Sequence, residues 1–262
     1  NYESIINHKK YNNKLDLIHG VISIGILFYT LCNIFNINVD FIIQNTEGIN
    51  KVTKRIDEIS DEFGKSIQTI YTSSAGEPFA SIATRNFFRK FDKIKYPKLK
   101  SIHIHTNATL WDQKMWESVS GIHPYVKSIE ISIDAASKDT YENKVRLGGD
   151  YNKLFNNLRY IAAIPRIKQI KTSFVVQKFN YQEMKMFLDL MKTIFGKKVS
   201  VYFSKLQDWG TYKIGEEFDS IDVSNPNNPE YEMFINELKK VYKDPQVFSN
   251  LIHLIPDEKT II

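Results

Sequence analysis

Cysteine is all but missing from this chain of 262 residues: Cys32 is the only one. One cysteine excludes an internal disulfide framework and any zinc site built on a CxxC pair. It fits a reducing compartment, and we expect a cytoplasmic protein. No run of five or six basic residues occurs, so the net charge of +5 is spread as solvated lysine and indicates no specific nucleic-acid surface. There is no Walker loop, no GxSxG elbow and no HExxH helix. Low-complexity segments are also missing, and the one linker-like piece is Ser220–Pro229.

A long uninterrupted apolar run is lacking too. No charged side chain stands between His19 and Asp40, and Lys9, Lys10 and Lys14 precede the apolar core Val21–Tyr29 as they would in a signal anchor. Asn33, Asn36 and Asn38 interrupt the run, which leaves it short of the ~20 residues a membrane span needs. A continuous, β-branched stretch of this length is what a buried parallel strand looks like. We therefore read a strand here and expect no membrane association.

What the chain does have is alternation. Its composition, 42% hydrophobic and 25% charged, is that of a globular protein. Val52, Ile56, Ile59 and Phe63 fall at helical spacing within Ile49–Phe63, and Gly64 ends that helix. Ile67–Thr72 reads as the second strand and Ser81–Ile94 as the next helix. Further strands are predicted at Ser101–Thr106, Val126–Asp134, Gln169–Val176 and Val199–Ser204. Helical patterns lie at Trp111–Ser120, Lys138–Val145, Tyr151–Ala163, Tyr181–Phe195 and Pro229–Tyr242. Six strands alternating with helices describe an α/β fold with parallel strands and right-handed crossovers, a partial (β/α)6 barrel of the TIM type. The expected organisation is a polar extension over 1–20, the partial barrel over 21–219 and a helical extension over 220–262.

Parallel strands bring their C-terminal ends to one mouth, where α/β folds keep their ligands. Polar residues gather at those ends: Thr30, Cys32 and Asn33; Ser73, Gly76 and Glu77; Thr106 and Asn107; Ser132 and Asp134; Gln177 and Asn180; Lys205, Asp208 and Trp209. Gly76 allows close backbone approach and Pro78 fixes the turn. Singly, Asp134 or Asn107 would be explained as a cap of the following helix. Together these ends favour a binding mouth. His103 and His105, two apart on one strand, share a face. With no third ligand at sensible spacing they read as a hydrogen-bonded core or lumen pair rather than metal ligands. Trp111 and Trp116 are read as packing residues of one helix.

The series Gly76-Glu77-Pro78-Phe79-Ala80-Ser81, His105-Thr106-Asn107-Ala108, Ser132-Ile133-Asp134-Ala135-Ala136, Val145-Arg146, Phe174-Val175-Val176-Gln177 and Asp208-Trp209-Gly210-Thr211 resembles the radical S-adenosylmethionine (SAM) superfamily. The branch it resembles is the one whose core precedes a SPASM or twitch extension, many members of which modify peptides. The resemblance covers about residues 21–245. It implies that Gly76, Glu77 and Pro78 receive the amino group of the cofactor's methionine. It further implies that Thr106 and Asn107 border the same pocket, that Ser132 and Asp134 lie near the ribose and Arg146 near the carboxylate, and that the adenine packs by Val176 and Gln177.

The family's CxxxCxxC loop, whose three thiolates hold a [4Fe–4S] cluster, corresponds here to a loop with Cys32 at the first position. Asn36 and Val39 stand at the other two. Asparagine is a weak neutral oxygen donor and valine has no donor atom, so neither replaces a soft thiolate. The resemblance thus implies a SAM-type pocket with an incomplete ligand set, and a cluster is not expected. Three readings follow. One is a cluster-less binding protein or pseudoenzyme subunit, with a small-molecule cofactor and a peptide or protein partner. Another is an active radical SAM enzyme whose cluster ligands have been altered or are shared between two chains. The third is an enzyme of non-radical chemistry using Glu77, Asp134 or a histidine as acid or base.

Overall fold

The computed structural model describes residues 46–72, 76–210 and 216–255. The expected strand over 21–29, together with Cys32, Asn36 and Val39, lies outside the described residues.

One sheet organises everything described. Its strands are β1 (Thr69–Thr72), β2 (Ser101–Thr106), β3 (Val126–Ser132), β4 (Gln169–Val176), β5 (Val199–Lys205) and β6 (Val247–Ser249). They stand in sequential order in a six-stranded sheet and every neighbouring pair is parallel. No pairing joins β6 back to β1 among the described residues, so the sheet is an open, partial barrel of the TIM type.

Helix α1 (Thr46–Phe63) leads into β1, and the crossovers hold α2 (Ile82–Arg89), α3 (Gln113–Glu117), α4 (Lys138–Thr140), α5 (Tyr151–Ala163), α6 (Met184–Phe195), α7 (Glu216–Ile221) and α8 (Tyr231–Lys239). Local chemistry sets where they start. The side chains of Ser81, Asp112, Ser137 and Asp150 accept hydrogen bonds from the backbone amides of Thr84, Met115, Thr140 and Lys153, satisfying donors that a first turn leaves open. None of the amides at these helix starts is capped by Asn107 or Asp134, which frees both for other roles.

The differences from the sequence reading have local causes. The helix expected over Ser81–Ile94 stops at Arg89, because Asp92 accepts the Ile94 amide at 2.8 Å and turns the chain. The helix expected from Trp111 begins at Gln113, because Asp112 caps it. Trp111 is nonetheless fully buried and stacks on Trp116 at 5.0 Å. The region expected to be a helical extension holds the end of α7 and all of α8, and it also supplies β6, a strand of three residues that is too short for a periodic signal.

Strand alternation sends the apolar residues to the helices. Ile102, Ile104, Ile129, Ile131, Phe174, Val201 and Phe203 are all within 1% of complete burial. Phe174 meets Phe187 of α6 at 4.8 Å and Phe203 of β5 at 5.4 Å. Full burial of each such side chain contributes about 1.5–3 kcal/mol, and this layer is the core. Among the described residues no helix is long and apolar enough to cross a membrane.

Candidate ligand-binding site at the strand ends

Two carboxylates mark the mouth of the sheet. Glu77 follows Gly76, whose φ of +115° is a conformation open to glycine and strained for other residues. A β-carbon there would meet nothing within 4 Å, so backbone conformation rather than crowding demands the glycine. Glu77 turns back onto the end of β2. Its Oε1 accepts from Thr106 Oγ1 at 2.7 Å and from the Phe79 amide at 3.1 Å, and its Oε2 accepts from the Asn107 amide at 2.7 Å. Burial pushes its pKa above the usual carboxylate range, and those three hydrogen bonds only partly offset the push. Pro78 is buried beside it.

Asp134 is 6% exposed and sits just beyond β3 with φ +67°, a left-handed conformation that aspartate tolerates better than most residues. Its Oδ1 accepts the Val175 amide at 2.8 Å, and its Oδ2 pairs with the Arg146 guanidinium. Arg146 Nε is buried and has no hydrogen-bond partner among the described residues. A buried N–H without an acceptor is costly, which makes it an unspent donor at the mouth.

Two buried asparagines hold these strand ends. Asn157 of α5 donates to the carbonyls of Ala108 and Thr109 at 2.8 and 3.1 Å, across the turn where Ala108 has φ +58°. Asn180 donates to the carbonyls of Asp134 and Val175 at 2.9 and 2.8 Å and accepts the Gln177 amide at 2.8 Å. Behind β3, Glu183 accepts the Ala136 amide at 2.7 Å, the Ser137 amide at 3.1 Å and the Thr140 hydroxyl at 2.7 Å. Burial alone would raise the Glu183 pKa, but its hydrogen bonds outweigh that and hold it below the usual range. The sequence reading assigned no role to Asn157 or Glu183. Asn157 is buried and Glu183 half-buried, both in helical runs, and no motif distinguishes such positions from surface ones.

Of the residues singled out from sequence, the structure brings Gly76, Glu77, Thr106 and Asn107 together as one cluster, and Asp134, Arg146 and the Gln177 backbone as another. Ser132 lies between them, its Oγ 2.8 Å from His105 Nε2 and 3.1 Å from Ser173 Oγ. The Asn107 side chain stays local, accepting from the Thr109 amide and hydroxyl. Val176 is 2% exposed on the helix-facing side of β4, within the core. Cys32 lies outside the described residues.

Below the mouth, the sheet face turned away from the helices is polar. His103 Nδ1 lies 3.1 Å from Ser128 Oγ, Lys171 pairs with Glu130 at 3.1 Å, and the Lys171 ammonium sits 4.4 Å from the centre of the Tyr202 ring. Burial lowers the pKa of both His103 and His105, so both imidazoles are neutral near pH 7. Among the described residues no group of three His, Cys, Asp or Glu is placed to hold a metal ion. Beyond β5, Lys205, Asp208, Trp209 and Phe218 border an open groove of about 470 Å³.

No protein-family model matches this chain, and no curated protein matches it in sequence. Its fold is similar to that of solved structures. A crystal structure of SuiB from Streptococcus suis superposes with a TM-score of 0.50 at 14% identity, covering 82% of this chain and 47% of SuiB. SuiB bound to the precursor peptide SuiA superposes equally well, with 77% of this chain and 42% of SuiB covered. The chain thus spans less than half the length of these neighbours, and at this identity the likeness shows the fold alone.

Proposed function

We propose that this chain is a radical SAM-fold protein that keeps a SAM-type pocket at its strand ends and serves as a cluster-less binding subunit with a peptide partner. The observation that carries the reading is the pairing of unspent chemistry at the mouth. A half-buried Glu77 carboxylate, raised in pKa by desolvation, calls for a cation beside it. An orphaned Arg146 N–H is satisfied by an anion. An amino acid-like ligand carries both groups, and the methionine portion of SAM is such a ligand. In this reading Glu77 holds the ammonium, Arg146 the carboxylate, and Ser132 with Asp134 the ribose. A peptide partner is supported by the shared fold with SuiB, which is known in complex with a precursor peptide.

The donor set of this chain does not fit a [4Fe–4S] cluster. Cys32 is its only cysteine, and Asn36 and Val39 occupy the positions where the resemblance calls for thiolates. No radical step is therefore assigned.

Thermal denaturation with SAM tests the reading. Ligand at about 100 times its Kd should stabilise the protein by about 2.7 kcal/mol. Glu77→Ala should abolish that shift, and a shift that survives the substitution would refute the placement. In a second arm, anaerobic treatment with iron and sulfide should leave the protein colourless, whereas a [4Fe–4S] spectrum would return it to the radical enzymes.

A further inference from the structure

Parallel strands gather all of their entering stretches at one end of the sheet, opposite the mouth. The two ends differ in charge. Leaving the strands, the stretches 76–81, 107–112, 133–137, 177–180 and 206–210 hold Glu77, Asp112, Asp134 and Asp208 against Lys178. Leading into them stand Lys93, Lys98, Lys100, Lys127, Arg166 and Lys168, all exposed. None of the six pairs with an acid among the described residues. The acids of the entering stretches are already engaged: Asp92 accepts the Ile94 amide at 2.8 Å, and Asp244 pairs with Lys192 at 2.7 Å.

Backbone pairing draws these cations together. The Lys168 amide donates to the Lys127 carbonyl at 2.8 Å, and the Lys100 amide to the Gln68 carbonyl, just before β1, at 2.8 Å. With strands about 4.8 Å apart, the entries of β2, β3 and β4 span roughly 10 Å. That is on the order of one Debye length at physiological salt, so the charges act as one patch. Helix C-termini also reach this end and attract cations, but that effect fades beyond the last turn. Lys198 answers one of them, donating to the Ala162 carbonyl at 3.2 Å. Lys98 and Lys100 lie well past the end of α2, Lys127 past α3 and Lys168 past α5. Neither ion pairing nor helix capping therefore accounts for the patch.

An apolar tip stands among the charges. Ile94 is 85% exposed, more than any other large apolar side chain among the described residues, and Lys93 and Lys95 flank it. Lysine clusters beside a protruding apolar side chain suit a lipid surface, with the ammonium groups at the headgroups and the hydrocarbon just beneath. A nucleic acid fits less well. The rings at this end are engaged with one another rather than open to bases, Phe91 stacking on Tyr96 at 5.3 Å and meeting Tyr125 at 5.3 Å.

We infer that this end of the sheet docks on an anionic lipid bilayer, its lysines against the headgroups and Ile94 in the apolar boundary below them. Linear order hides the patch, which is why the sequence reads as evenly spread lysine with no membrane association. Docking of this kind needs no spanning helix. It is also independent of the ligand proposed for the mouth, which opens at the opposite end.

Flotation of the full chain with vesicles tests the inference, using phosphatidylcholine alone and phosphatidylcholine with about 30% phosphatidylserine. At low salt the anionic vesicles should bind about tenfold better or more, and about 0.5 M salt should remove most of that preference. Lys127→Gln/Lys168→Gln should weaken anionic binding about thirtyfold. The same charge change elsewhere on the surface, Lys54→Gln/Lys185→Gln, should weaken it less than about threefold. Ile94→Ser should cost about tenfold at every salt concentration, because apolar insertion is not screened. All five positions are exposed, so the variants should keep the thermal midpoint of the parent. Equal binding to the two vesicles, binding to neither, or equal losses in the two lysine pairs would overturn the inference. So would an Ile94→Ser variant that binds like the parent. An RNA homopolymer bound more tightly than the anionic vesicles would also overturn it and give the patch to a nucleic acid.

Discussion

On the side of the sheet that meets the helices, the strands present Ile104, Ile131, Phe174 and Phe203, all completely buried. On the other side the same strands present His105, Glu130, Ser132, Lys171, Ser173 and Tyr202, tied to one another by hydrogen bonds, an ion pair and a cation–π contact. Adjacent residues of one strand thus belong to different jobs. The first face holds the protein together. The second contributes little to folding and carries a surface that solvent or a ligand can reach. The difference teaches that a sheet whose helix-facing side already supplies a complete core can carry charged and polar groups on its other side.

The sharpest way to break this comparison is a large-to-small change on the core face. Phe174→Ala removes a ring packed on Phe187 and Phe203 and should cost about 4 kcal/mol in urea denaturation. A loss under about 1 kcal/mol would mean that the helix face is not the core we describe. A smaller effect of opposite sign is expected at Thr172, the polar intruder on that face. It is completely buried and its hydroxyl has no hydrogen-bond partner among the described residues. Thr172→Val should therefore stabilise the fold by about 1 kcal/mol in the same assay, since it removes an unsatisfied polar group at nearly constant volume. The smallest effect belongs to the open face. Glu130→Gln/Lys171→Met should leave stability within about 0.5 kcal/mol of the parent. A loss of several kcal/mol would show that the ion pair supports the fold, and the contrast between the faces would collapse.

Much of the fold could be read from residue patterns. Ser101–Thr106, Gln169–Val176 and Tyr151–Ala163 are found with the bounds that periodicity assigned, because their patterns run for several residues between clear turn signals. The three residues of β6 could not be read that way, since they make a strand only by pairing with β5. At the mouth, Glu77 and Asp134 were legible as polar strand ends, and Arg146 only through the resemblance. Their partners were not. Asp134 looked as much like a helix cap as a ligand-facing carboxylate until its contacts with the Val175 amide and Arg146 were known. Asn157 and Glu183 act at mouth loops that are distant in sequence, and nothing local announces that.

By itself, the sequence determined the parallel βα alternation, the polar mouth that follows from it, and the lack of thiolates beyond Cys32. These depend on residue type and local spacing, which a linear chain displays in full. Only the tertiary structure decided that Glu77 is buried against Thr106 and Asn107, that Arg146 carries an unspent donor, and that Lys171 meets Glu130 on an open polar face. Burial, register and the sharing of hydrogen-bond partners arise between strands, and each strand alone is silent about its neighbour.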